Sequence, residues 1–150
     1  NEYPGWVDYK KEILKVLEKV KELGVTSKFS RIDVRYINLF QSEDVSDRLN
    51  IAIEVPYKEN LAKEKSAGFI YNYDGMQTRV NFATNASMTF GNNEISLSGA
   101  ILDIDTSIEE EVQFDSVDGF IENGHAYTES TFLSLLEGSL LKELKGEDEQ

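Results

Sequence analysis

Ala67-Gly68-Phe69-Ile70-Tyr71-Asn72-Tyr73-Asp74-Gly75-Met76-Gln77-Thr78-Arg79-Val80-Asn81-Phe82 is the stretch that decides the fold. Asp-Gly between two alternating runs is a strong signal for a two-residue hairpin turn. Closing the turn on Asp74-Gly75 pairs Tyr73 with Met76, Tyr71 with Thr78, Phe69 with Val80 and Ala67 with Phe82. That register puts the large apolar side chains on one face and sends Ile70, Asn72, Gln77, Arg79 and Asn81 to the other. Turn chemistry and apolar pattern agree.

Working downstream, Gly91-Asn92-Asn93 is the next turn, and pairing Phe90 with Ile95 and Met88 with Leu97 keeps the same face apolar. Extended unbroken, this register sets Asp103 opposite Phe82 on the core side, where a charge is costly. A bulge around Ser98–Ala100, with Gly99 as its natural site, turns Leu102 and Ile104 inward and Asp103 and Asp105 outward. Residues 115–145 carry a helical stripe of Val117, Ile121, Thr128, Phe132, Leu136 and Leu140; Gly119, Gly124 and Gly138 weaken the helix, and a break is expected near 119–124.

Upstream, residues 4–23 form an amphipathic helix with the stripe Trp6, Tyr9, Ile13, Val16, Leu17, Val20 and Leu23. Pro4 suits its first turn and Gly24 its end. From Lys28 to Phe40 the period changes to two, with Ile32, Val34 and Tyr36 on one side and Arg31, Asp33 and Arg35 on the other. Ser42 to Leu49 holds a short helical turn, Asn50 to Tyr57 a further strand, and Lys58 to Lys65 a polar connection. The class is α+β: a curved antiparallel sheet of about five strands, with an N-terminal and a C-terminal helix packed on one face. Residues 1–145 make a single domain and 146–150 a disordered acidic tail.

Composition excludes much chemistry. The 150 residues contain no cysteine and one histidine, so thiolate metal sites, disulfides and His-rich metal centres are ruled out within the chain. A net charge of −13 argues against a nucleic-acid partner. Residues 107–150 hold 12 acidic and two basic side chains, an acidic C-terminal surface that aids solubility or docks a basic partner. No apolar run approaches the ~18–20 residues that span a bilayer, so no membrane segment is expected. Phosphate-binding loops, dinucleotide fingerprints, metalloprotease helices and nucleophile elbows are absent. Asn85-Ala86-Ser87 fits a glycosylation sequon, which matters only in a secretory compartment.

Five residues remain as candidates for ligand binding: Arg35, Asn38, Asp103, Asp105 and His125. Asp103 and Asp105 share one strand face and, with Glu109, have the donor type for Mg²⁺, although acids at a strand end are ordinarily just solvated. No metal or cofactor is expected. Asn38 interrupts an apolar strand face and needs hydrogen-bond partners. His125 borders the helical stripe, packed at the helix–sheet seam or lining a pocket. Arg35 is expected to pair with an acid of the Leu102–Asp105 strand, holding the sheet in register.

Tyr3-Pro4-Gly5-Trp6 opening a helix, Arg35-Tyr36-Ile37-Asn38 one strand later, Leu102-Asp103-Ile104-Asp105, and His125 with Phe132 seven residues on form an ordered set. Together they resemble the later part of a sporadically distributed, uncharacterised prokaryotic family marked by a Leu-Arg-Tyr-Ile-Asn strand, with Val34 here in place of the leucine. The family has no established activity, so the resemblance implies no catalytic residues. It implies a piece of a longer protein, a cytoplasmic setting and an accessory or defence-linked role.

Function is therefore expected to be that of a non-enzymatic protein-binding or accessory domain, meeting a protein partner or a second copy through a sheet edge or the acidic C-terminal helix. The alternative is a small-molecule site, for binding or for catalysis, between the sheet and the C-terminal helix.

Overall fold

Asp74 and Gly75 adopt φ of 51° and 77°, the left-handed pair that a two-residue hairpin turn demands. All four predicted pairs across this turn are present in the computed structural model, which describes residues 4–41, 45–51, 64–90 and 95–146. Along the chain run α1 (Trp6–Glu22), β1 (Lys28–Phe29), β2 (Ile32–Gln41), β3 (Ser66–Tyr73), β4 (Met76–Phe90), β5 (Ile95–Ile108), β6 (Val112–Gln113), α2 (Val117–Leu135) and α3 (Gly138–Leu144). A 3₁₀ turn at Ser46–Arg48 falls in the expected short helical segment. The four long strands make an antiparallel sheet in the order β2-β5-β4-β3, and β1 pairs with β6 in a separate two-stranded ladder. The class is α+β, as the sequence indicates, and the sheet is open. The expected strand Asn50–Tyr57 lies mostly outside the described residues, as do the Gly91–Asn93 turn and nearly all of the acidic tail.

Alternation along β4 and β5 gives the sheet two unlike faces. Val80, Phe82, Leu102 and Ile104 lie fully buried under α2 and α3 with Leu135, Leu136 and Leu140. A second cluster, Met76, Ile108, Val112, Val117 and Ile121, packs with Trp6, Ile13 and Leu17 of α1. Between them sits a buried hydroxyl layer. Thr106 Oγ1 lies 2.9 Å from Thr78 Oγ1 and 2.8 Å from Thr128 Oγ1, which is also 2.8 Å from the Gly124 carbonyl oxygen. Each buried hydroxyl is thus partnered, which removes most of the cost of burying it.

Three expectations are corrected. The bulge is in β4, not at Ser98–Ala100: the register steps between Ala83, opposite Ile101, and Ala86, opposite Gly99. Asn85 takes it up with φ of 53°, a conformation that asparagine tolerates better than most residues. Gly99 stays in the ladder, and glycine is needed there because a Cβ would stand 2.0 Å from the Phe40 carbonyl oxygen. The consequence for β5 is as reasoned: Leu102 faces Phe82, Ile104 faces Val80, and Asp103 falls opposite Asn81.

Secondly, α2 runs unbroken through Gly119 and Gly124. Gly124 is where the helix sits down on the sheet, since a Cβ there would meet Val34 Cγ2 at 2.9 Å. The chain breaks instead at Leu136, which bridges to Leu49, while Asn50 Nδ2 donates to the Ser134 and Leu136 carbonyl oxygens. Loose ends of the helix are satisfied from across the molecule.

Thirdly, α1 covers less than its stripe predicts. No residue of α1 is buried, and Tyr9, Val16 and Leu23 are exposed. The helix lies beside the start of α2, tied by Lys10 to Asp118 and Glu122 at 2.7 Å each and by Lys21 to Asp115 at 2.6 Å. Surface pairs of this kind contribute little each, about 0–1 kcal/mol.

Candidate functional site

The face of the sheet that carries no helix among the described residues is built from the odd-numbered residues of β2 and β5, the odd-numbered residues of β4 before its bulge, and the even-numbered ones of β3. Its central rung runs Arg35–Asp105–Arg79–Ile70, and the next runs Ile37–Asp103–Asn81–Gly68. Arg35 grips Asp103 with two parallel bonds, Nε to Oδ1 at 2.7 Å and Nη2 to Oδ2 at 2.8 Å. The expected pairing of Arg35 with an acid of that strand is therefore present. It runs diagonally, since Arg35 is directly opposite Asp105. The aspartate side chain is 12% exposed and the arginine 55%, so the pair is half in water. Arg35 donates to the carboxylate and holds the Asp103 pKa below its usual value, against the opposing effect of burial.

Asp105 fares differently. Its Oδ1 is buried and has no hydrogen-bond partner among the described residues, and Arg31 reaches its Oδ2 only at 3.8 Å. Arg31 is already engaged by Asp33, at 2.7 and 2.8 Å from Nε, and by Glu109 at 2.7 Å. Burial, then the nearby charge of Asp33, pushes the Asp105 pKa up. One rung thus holds an acceptor without a donor beside Arg79, which makes no ion pair among the described residues. Ile70 at the end of the rung and Ile37 beside it are 56% and 48% exposed. Among the described residues no three acidic or histidine side chains are placed to hold a metal ion.

Asn38 and His125 are on the other face. Asn38 Nδ2 donates to the Leu102 carbonyl oxygen at 3.2 Å, which supplies the partner its position calls for. His125 stacks on Trp6 with ring centroids 4.0 Å apart and planes within 17°. Its Nδ1 lies 3.0 Å from Tyr36 Oη, and its Nε2 faces Glu129 at 3.9 Å. Trp6 Nε1 in turn donates to Glu122 Oε2 at 3.3 Å. The five sequence candidates therefore divide, with Arg35, Asp103 and Asp105 on the open face, Asn38 on the covered face and His125 on α2 at the seam with α1 and β2.

Three concavities among the described residues do not collect them. A cleft of about 410 Å³ between α1 and β2 takes in Arg35 alone of the five. A hollow at the Asp74-Gly75 turn and another between Lys21–Lys28 and Gln113–Asp115 take in none. Sequence reasoning placed Arg79 on the polar face but gave it no role; its register opposite Asp105 was the available signal. The stacking of Trp6 on His125 had no signal, because 119 positions separate them in the chain.

Comparison with family models, with curated proteins and with solved structures returns no match. No described helix is long and apolar enough to cross a membrane.

Proposed function

We propose that the chain is a non-enzymatic protein-binding module whose docking surface is the helix-free face of the four-stranded sheet. The observation that carries this reading is the rung Arg35–Asp105–Arg79–Ile70 with Ile37 beside it. Among the described residues, a carboxylate oxygen without a donor, an arginine without an acid and two exposed isoleucines form a small complementary patch. A polypeptide partner that offers a hydrogen-bond donor, a carboxylate and aliphatic side chains would satisfy all of them. The sequence's other polar candidates are already engaged, Arg35 with Asp103, Asn38 with the backbone and His125 with Trp6 and Tyr36. An accessory role in a cytoplasmic setting is what the family resemblance implies and agrees with this reading. The small-molecule alternative has less support, because the space between the sheet and α3 is filled by Leu102, Ile104, Leu135 and Leu140.

The test is a paired measurement on the chain and on the Ile70→Glu/Arg79→Glu variant. Affinity capture should retain a stoichiometric partner that the variant loses while its melting temperature is unchanged. Nucleotides, sugars, amino acids and divalent ions should leave the melting temperature of both where it was. A thermal shift with any one of these, abolished by Asp105→Asn, would replace the docking reading with a small-molecule site.

A further inference from the structure

The cleft under α1 belongs to an edge, not to a face. One wall is Trp6, Tyr9, Ile13 and Leu17, the inward stripe of α1, and the other includes every residue from Arg31 to Tyr36. A groove over one face of a strand would touch alternate residues only, because side chains point to opposite sides. Contact with six in succession means that the groove runs along the outer margin of β2. The strand order puts β2 at that margin, with no strand on its outer side among the described residues.

We infer that the occupant of this groove is β2 of a second copy of the chain, paired antiparallel about a two-fold axis at Val34. The sequence Ile32-Asp33-Val34-Arg35-Tyr36 is self-complementary in that register and in no neighbouring one, with Arg31 standing opposite Ile37 at its end. Asp33 then stands opposite Arg35 of the second copy, and Arg35 opposite its Asp33, both pairs on the helix-free face. On the helix side Ile32 meets Tyr36, and Val34 meets its own counterpart at the margin of the strand. Centring on Asp33 would instead oppose the two Asp33 carboxylates and set Arg31 against Arg35. Centring on Arg35 would oppose two arginines. A one-residue slip would turn the charged row toward the helices. Like charges directly opposite destabilise a ladder, whereas opposite charges support it.

The required valences are free. Arg35 uses Nε and Nη2 on Asp103 and keeps further N–H donors. Asp33 accepts from Arg31 with both oxygens and retains lone pairs. Pairing would join two four-stranded sheets into one, remove an open edge, and place α1 of each copy over β2 of the other. An isologous contact of this kind closes on itself and does not propagate into a filament. The inference shares Arg35 with the docking rung but does not rest on Asp105, Arg79 or Ile70, since it uses the margin of β2.

Sedimentation velocity over a concentration series tests it. The chain should pass from monomer to dimer, and Asp33→Lys, which sets a lysine against Arg35, should weaken association at least about tenfold, or ~1.4 kcal/mol. Because the chain lacks cysteine, Val34→Cys offers a second readout. It should form a disulfide-linked dimer under mild oxidation, while Ile70→Cys on the opposite edge strand should not. A chain that stays monomeric at the highest attainable concentration overturns the inference and leaves the groove to a foreign strand. A dimer that survives Asp33→Lys and does not cross-link through Val34→Cys overturns it as well.

Discussion

The two faces of the sheet are made from the same strands, one residue apart, and they are held by different physics. On the covered face of β5, Leu102 and Ile104 are fully buried beneath α2 and α3, with stability drawn from apolar area removed from water. On the open face of the same strand, Asp103 and Asp105 are largely screened from solvent without any helix above them. Long neighbouring side chains do the screening. One carboxylate solves the problem with a bidentate arginine, and the other does not solve it within the described residues. A covered face can be stable and silent. An open face with an unsatisfied acceptor carries a cost, and removing that cost is what a partner could contribute.

The largest expected effect lies on the covered side. Leu102→Ala should lower unfolding free energy by about 2–5 kcal/mol, the range for a cavity at a buried leucine. Urea unfolding followed by far-UV circular dichroism measures it, and a loss under about 1 kcal/mol would mean that the core is not centred on β5.

Gly124→Ala tests how closely α2 is seated. At an open helix position this change gains about 1 kcal/mol, because alanine favours helix. Here the new methyl group meets Val34 at 2.9 Å, so the expectation is a net loss of about 1–3 kcal/mol. The sign of the shift in melting temperature decides between the two.

The sharpest contrast is between the two aspartates of β5. Asp103→Asn should cost about 1–3 kcal/mol at neutral pH, between the values for exposed and for fully buried pairs. Asp105→Asn should be neutral or stabilising, because it removes a charge whose buried oxygen has no donor. Their pH dependences should oppose each other. The Asp103 pKa is lowered on folding, so its contribution is complete above the ordinary aspartate range and is lost as pH falls through the lowered value. The Asp105 pKa is raised, so stability is gained as pH falls through the raised value, and the gain is complete below the ordinary range. Unfolding free energies of the two Asn variants across the acid range, against the parent chain, measure both slopes. Parallel curves would mean that the two carboxylates share one environment.

Arg79→Ala should be the smallest change, within about 0.5 kcal/mol, since the side chain is exposed and unpaired among the described residues. A larger loss would show that Arg79 swings onto Asp105 in solution and would weaken the case for an open docking rung.

How much was legible beforehand differs between these regions. Asp74-Gly75 and the alternation around it determined the β3–β4 hairpin to the residue, because a two-residue loop leaves one register and that register sorts the side chains correctly. The Leu102 and Ile104 positions followed from the cost of burying Asp103, and so did the need for a bulge. Its location did not follow, because Asn85 and Gly99 can each absorb an extra residue. The choice fell to the close approach of the Phe40 carbonyl to Gly99. Glycines in α2 looked like breaks because helix propensity is local, while the reason for Gly124 is Val34, 90 positions away. The α1 stripe fixed a helix and its inner side, yet periodicity says nothing about what lies opposite that side. Arg35 and an acid of β5 could be matched from strand order and charge alone. That Asp103 takes the arginine and leaves Asp105 bare is a matter of side-chain reach across a twisted sheet, which only the assembled structure decides.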